Sequence, residues 1–173
     1  MRTSLGCPIS FEYDGLEDRS RVVFPDGGDQ TFVYDAARNL SQTTLPQGTV
    51  LDFTYDVAGR ELTRTSSLGE SRSFSYDGRG NLESMTDSTG TTQTHYDASG
   101  QFAGMTYPSG ASVRYEYDLL GRIDRVLVHP DAVSSPQVTI YGYDAAGNVD
   151  TITDPLGGIT TISYDAANRP DVR

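Results

Sequence analysis

Phe74-Ser75-Tyr76-Asp77-Gly78-Arg79-Gly80-Asn81-Leu82 decides the fold, because its pattern recurs along the whole chain. Tyr-Asp occurs eight times, at Tyr13-Asp14, Tyr34-Asp35, Tyr55-Asp56, Tyr76-Asp77, Tyr96-Asp97, Tyr117-Asp118, Tyr143-Asp144 and Tyr164-Asp165. Successive pairs stand 21, 21, 21, 20, 21, 26 and 21 residues apart. A fixed period near twenty marks an array built from one supersecondary unit, and it outranks every other signal in the chain.

Alignment on the tyrosine exposes the constrained positions. Two residues before it stand Phe11, Phe32, Phe53, Phe74, Thr94, Tyr115, Tyr141 and Ile162. Immediately before it stand Glu12, Val33, Thr54, Ser75, His95, Glu116, Gly142 and Ser163, which are mostly polar. This two-residue alternation is that of a strand with one buried face, so each Tyr and its partner two residues earlier point the same way. Four residues after the Tyr come Gly59, Gly80, Gly100, Gly121 and Gly147, with Asn168 in the last unit. Gly and Asn accept positive φ, so the site predicts a left-handed backbone. Three residues earlier, the Asp carboxylate is placed to accept backbone N–H bonds in an Asx-type turn, so these aspartates read as turn formers and not as catalysts.

A second strand follows each such turn: Leu40 to Thr44, Leu62 to Thr65, Leu82 to Thr86, Phe102 to Thr106, Ile123 to Val128 and Val149 to Thr153. A second turn with Pro or Gly comes next, as in Pro46-Gln47-Gly48 or Pro155-Leu156-Gly157. Each period is therefore one hairpin. Leu82 and Met85, like Val149 and Ile152, are three apart, which breaks strict alternation and predicts a bulge or local twist. One hairpin cannot bury its own apolar face, so neighbours pair into an antiparallel sheet of about fourteen short strands, all-β and with no helix longer than a turn or so.

These residues carry a family resemblance. Tyr143-Asp144-Ala145-Ala146-Gly147-Asn148-Val149, then Asp154-Pro155-Leu156-Gly157 and Tyr164-Asp165, is close to the consensus of the YD-repeat or Rhs-repeat proteins. That group includes bacterial Rhs and polymorphic toxins, the C component of ABC-type insecticidal toxins, and the teneurin shell. The resemblance covers essentially the whole chain. It implies a curved antiparallel sheet that is a segment of a hollow spiral shell enclosing another polypeptide, and hence secretion or display at a cell surface within a larger protein. The partners it implies are the remaining repeats of a longer chain and an encapsulated toxin domain.

Composition agrees with a folded but lightly built chain: 36% hydrophobic and 10% aromatic residues support a modest core. The formal net charge of −11 argues against nucleic acid as a partner, since a basic patch is needed to displace counterions. No apolar run approaches a membrane span, and no charged-then-apolar leader opens the chain. Ser4-Leu5-Gly6 precedes Phe11-Glu12-Tyr13-Asp14 as Ser67-Leu68-Gly69 precedes Phe74-Ser75-Tyr76-Asp77. Residues 1–173 therefore read as one array of about seven and a half repeats, opening and stopping within a repeat. Self-association through the terminal strands, near Pro8 to Tyr13 or Arg169 to Arg173, or through the aromatic face, is expected of such an open array.

Candidate sites of other kinds are sparse. Cys7 is alone and reads as a small strand residue. Asp26-Gly27-Gly28-Asp29 lacks the further ligands of a calcium loop and reads as a hairpin turn. His95 and His129 have no neighbouring Cys or paired His, so neither makes a metal motif, and His95 is expected to face solvent. The unit from Tyr117 to Tyr143 holds five extra residues around His129-Pro130-Asp131-Ala132-Val133-Ser134-Ser135-Pro136, either a contact-bearing loop or a tolerated insertion. Asp154-Pro155-Leu156-Gly157-Gly158 sits in the ordinary turn slot, so the autoproteolytic role known in Rhs proteins is not carried over. No nucleophile motif is present, and the chain reads as a non-enzyme that needs no cofactor or metal. The alternative is a surface module for carbohydrate or protein ligands, since tyrosine faces and carboxylates suit sugars.

Overall fold

The computed structural model describes residues 8–172; Cys7 and Ser4-Leu5-Gly6 lie outside them. The chain divides into two compact units, Met1–Gly90 and Thr91–Arg173. No helix occurs among the described residues.

The first unit contains β1 (Ser10–Tyr13), β2 (Arg19–Val23), β3 (Asp29–Tyr34), β4 (Leu40–Thr44), β5 (Val50–Tyr55), β6 (Glu61–Ser66), β7 (Ser71–Tyr76) and β8 (Leu82–Asp87). Each pairs antiparallel with its sequence neighbours. The second unit contains β9 (Gly90–Tyr96, beginning at the last residue of the first), β10 (Phe102–Thr106), β11 (Ser112–Tyr117), β12 (Ile123–His129), β13 (Gln137–Tyr143), β14 (Val149–Thr153), β15 (Ile159–Tyr164) and β16 (Pro170–Val172). Here too pairing is antiparallel and sequential. The described residues thus hold sixteen strands. The expectation of about fourteen was low because the terminal hairpins also form their second strands.

The strands expected at Leu40 to Thr44, Phe102 to Thr106 and Val149 to Thr153 have those bounds. The irregularity foreseen from Leu82 and Met85 is a register slip within the hairpin. Ser75 faces Ser84 while Tyr76 faces Leu82, so Glu83 is the extra residue. The same slip leaves Ser20, Ser41, Leu62, Asp124 and Asp150 as the extra residue of their hairpins. A bulge puts two residues opposite one, which returns positions three apart to the same face. Leu82 and Met85 therefore lie on the face of Tyr76 and Phe74.

Burial is shallow throughout. Val22 is the buried apolar residue, with Thr43 and Thr92 the buried polar ones, and no large side chain among the described residues is fully enclosed. Within each unit, strands touch sequence neighbours alone, so each sheet is one layer thick. The tyrosine face carries the half-buried rings, and the opposite face carries hydroxyls and charges such as Thr54 with Thr63 and Ser75 with Ser84.

Candidate functional site

Each Tyr-Asp pair ends a strand and begins a three-residue turn. The turn closes when the Asp N–H donates to the carbonyl four residues on and the N–H three residues on donates back to the Asp carbonyl, as in Asp77 with Asn81 (2.9 Å) and Gly80 (2.9 Å). This is a type I turn followed by a left-handed residue. The carboxylate of Asp77 tightens it: Oδ1 accepts from the N–H groups of Arg79 (2.9 Å) and Asn81 (2.8 Å). All eight repeat aspartates, Asp14, Asp35, Asp56, Asp77, Asp97, Asp118, Asp144 and Asp165, accept the same two backbone bonds.

Those bonds are formed to the charged carboxylate, so they favour ionisation. The Asn81 amide side chain and then its backbone N–H hold the Asp77 carboxyl below its usual range. For Asp56 the backbone N–H of Arg60 leads and its guanidinium follows.

The left-handed position is occupied in every repeat. Gly59, Gly80, Gly100, Gly121 and Gly147 have φ between 76° and 91°, and Asn168 has φ 61°. Glu17 (φ 67°) and Arg38 (φ 66°) stand at the same site in the first two repeats, where composition gave no sign of it.

Repeats are joined through the tyrosine. The Tyr76 hydroxyl donates to the Glu61 carbonyl (2.8 Å) in the previous hairpin, and Glu61 is the residue paired with Tyr55. Tyr34, Tyr55, Tyr117, Tyr143 and Tyr164 bond in the same way to the carbonyls of Arg19, Leu40, Phe102, Ile123 and Val149, at 2.6–3.0 Å. Where an arginine follows the turn it adds a second tie. Arg60 pairs with Asp56 (2.6 Å) and lies over the Tyr76 ring, 4.5 Å from its centroid. Arg122 pairs with Asp118 (2.6 Å) and lies 4.1 Å from the Tyr143 centroid. The tyrosine is thus held at its hydroxyl and at its face. Tyr13 has no such partner among the described residues and is 58% exposed.

An open groove of about 970 Å³ lies over the second unit, lined in part by His95, Thr106, Ser112, Arg114, Glu116 and His129. By register these six share the face opposite the tyrosines. Gly104 lies between His95 and Arg114 in register, with φ 143° and a Val113 carbonyl that leaves no room for a Cβ. The His95 ring nitrogen is 2.9 Å from the Thr106 hydroxyl, and Arg114 lies 3.5 Å from Glu116. His95 is solvent-exposed, and the chain's two histidines, far apart in sequence, line one groove. The two-residue register of four consecutive strands, β9 to β12, is the signal that places them together. Charges of both signs face the groove, and no cluster of three His, Cys, Asp or Glu among the described residues could hold a metal.

The inserted segment closes its own turn, with Asp131 accepting from the N–H groups of Val133 (2.9 Å) and Ser134 (2.7 Å). It packs against Gly110 through Ala132. Asp26-Gly27-Gly28-Asp29 is a hairpin turn, closed between Phe24 and Gly28 at 2.8 Å.

Against family models, residues 9–134 match Teneurin YD-shell and residues 143–173 match RHS Repeat. No curated protein matches the sequence. Among solved structures, the chain is similar to the crystal structure of TcdB2-TccC3 without its hypervariable C-terminal region, at 17% identity and a TM-score of 0.56. That likeness covers 94% of this chain and 11% of the other. It is similar also to the crystal structure of TcdB2-TccC3, at 12% identity and a TM-score of 0.56, over 94% of this chain and 14% of that one. At such identities the likeness is one of fold, and the chain spans a small part of the length of these structures.

Proposed function

The chain belongs to the teneurin YD-shell family, and from that premise we propose that residues 1–173 form one array of about seven and a half repeats within a structural shell. The shell encloses a toxin or effector polypeptide, helps deliver it, and does no catalysis of its own. Its repeats continue in a longer chain that is exported or displayed at the cell surface.

One observation carries the reading: the groups that could serve chemistry are committed to holding hairpins together. Each repeat aspartate gives one carboxylate oxygen to two backbone N–H groups of its own turn, as Asp77 does, and six of the tyrosine hydroxyls are bonded to backbone carbonyls. Among the described residues, the half-buried aromatic face in each unit meanwhile has no second layer, as suits a wall that borders something else. Those same commitments weaken the motive for the carbohydrate reading, since six of the eight repeat hydroxyls and one oxygen of every repeat carboxylate are already bonded within the array.

The test is limited proteolysis of the full parent chain. A segment outside the repeats should resist protease under native conditions and become cleavable when the array is unfolded by urea. Immediate digestion of every segment outside the repeats under native conditions would overturn the enclosure.

A further inference from the structure

We propose that two positions of each repeat recognise one another across the joint between hairpins: the residue five places after a repeat tyrosine, and the left-handed residue of the next tyrosine's turn. The pair decides which hairpins stand side by side. The inference rests on the geometry of the joints and not on the shell reading, so the two stand or fall separately.

The tyrosine hydroxyl holds six joints within the two units, but it cannot tell one hairpin from another. Its acceptor is a backbone carbonyl each time, offered alike by Arg19, Leu40, Glu61, Phe102, Ile123 and Val149. Discrimination needs side chains that differ from repeat to repeat. At those same six joints a second contact is made by side chains that do differ.

In the first unit, Arg38 at the left-handed position (φ 66°) bonds Asp18 at 2.6 and 2.8 Å and the Leu16 carbonyl at 3.0 Å. The Asp18 side chain is only 19% exposed, and the Arg38 hydrogen bond holds its carboxyl below the usual range. In the second unit, Asn168 (φ 61°) exchanges two amide bonds with Asn148, at 2.6 and 3.1 Å. At the other four joints the left-handed residue is glycine. The side chain that a Cβ there would meet is the same partner: Asn39 at Gly59 (3.4 Å), Arg60 at Gly80 (3.2 Å), Gln101 at Gly121 (3.9 Å) and Arg122 at Gly147 (3.9 Å). Gln101 also donates to the Gly121 carbonyl at 3.1 Å.

Acid thus meets guanidinium, amide meets amide or glycine, and a long arginine meets a glycine that leaves it room. The same rule refuses other neighbours. Arg38 set beside Arg60 would bring two guanidinium groups together where Asp18 now accepts, and like charges side by side repel. Arg60 would also be pressed from the place in which it covers the Tyr76 ring. Hairpins of nearly one shape therefore dock in one order.

Urea unfolding of the intact chain tests the rule by moving a pair to a joint that lacks it. G59R puts a strained residue beside Asn39 and should lower the midpoint. N39D forfeits the Asn39 bond to Asp35 (3.1 Å) and should lower it too. N39D with G59R rebuilds the Asp18–Arg38 pair. Its unfolding constant should be about threefold smaller than the two single effects give together, and this surplus should shrink in high salt. N39R with G59R is a mismatch, and its surplus should have the opposite sign. At the natural joint, D18N with R38N rebuilds the Asn148–Asn168 pair and should again exceed what the single effects give. That cycle adds no side chain, so it decides the matter if G59R does not fold. Additive effects at the natural joint, or matched and mismatched pairs of equal stability at the moved one, would overturn the proposal.

Discussion

At the scale of single residues, the turn after each tyrosine demands a left-handed backbone, and the chain meets that demand in two ways. Gly80 adopts φ 91° without strain, while Glu17 at φ 67° holds a conformation that costs a side-chain-bearing residue about 1–2 kcal/mol. Glu17→Gly should therefore stabilise the fold by about 1 kcal/mol in urea denaturation, part of the relief being lost to the greater freedom of glycine in the unfolded chain. Arg38 at φ 66° is under the same strain but has compensation. Its guanidinium bonds Asp18 (2.6 and 2.8 Å) and the Leu16 carbonyl (3.0 Å) of the preceding turn. Arg38→Gly should gain less than Glu17→Gly for that reason. In the reverse direction, Gly80→Val should cost about 1–2 kcal/mol or more. Its Cβ would meet only the mobile end of Arg60, at 3.2 Å, so the loss would report backbone strain and not a clash.

At the scale of the hairpin, the bulge and the tyrosine hydroxyl are one device. The slip at Leu62 breaks the ladder beside Glu61, and the Glu61 carbonyl receives the Tyr76 hydroxyl from the next hairpin. Tyr76→Phe should cost about 1 kcal/mol of stability, whereas Tyr13→Phe, whose hydroxyl has no partner among the described residues, should leave the melting temperature of the monomer unchanged. Thermal melts of the two variants at low protein concentration would separate these outcomes. Much of the element was legible in the chain. Alternation around Phe74 and Tyr76 gave the strand face, and the three-residue spacing of Leu82 and Met85 gave the bulge. A backbone or Asp partner for a buried hydroxyl was to be expected, but which carbonyl it meets was not legible, because Glu61 is fifteen residues away and a backbone carbonyl leaves no mark in sequence. Glu17 and Arg38 were missed for a related reason: the left-handed site is set by turn geometry, and two repeats tolerate it with ordinary side chains. The shared groove of His95 and His129 needed the strand register, which composition does not supply.

At the scale of the whole chain, stability is a sum of neighbour-to-neighbour terms, since burial is shallow and strands within each unit touch only their sequence neighbours. The repeat aspartates make that sum depend on pH. Asp35, Asp56, Asp77, Asp97, Asp118, Asp144 and Asp165 are all held below the usual carboxylate range by hydrogen bonds that the unfolded chain lacks. A carboxyl with a lowered folded value leaves the unfolded state binding more protons, so stability rises with pH through that interval. The contribution is complete above the unfolded value of about 3.9 and drains away as pH falls through the lower folded values. The net charge of −11 works against this only mildly, because the first protons taken up relieve mutual repulsion. The urea midpoint should accordingly stay nearly level from neutral pH to about pH 5 and fall steeply below about pH 4. Replacing Asp77 and Asp144 with Asn separates titration from geometry. Asn keeps an oxygen for the two backbone N–H bonds but takes up no proton, and it loses the contact that Oδ2 makes with the Asn81 or Asn148 amide. The double variant should start less stable at neutral pH and lose less on acidification than the unaltered chain. Parallel acid curves for the two proteins would show that these carboxylates do not set the acid limit.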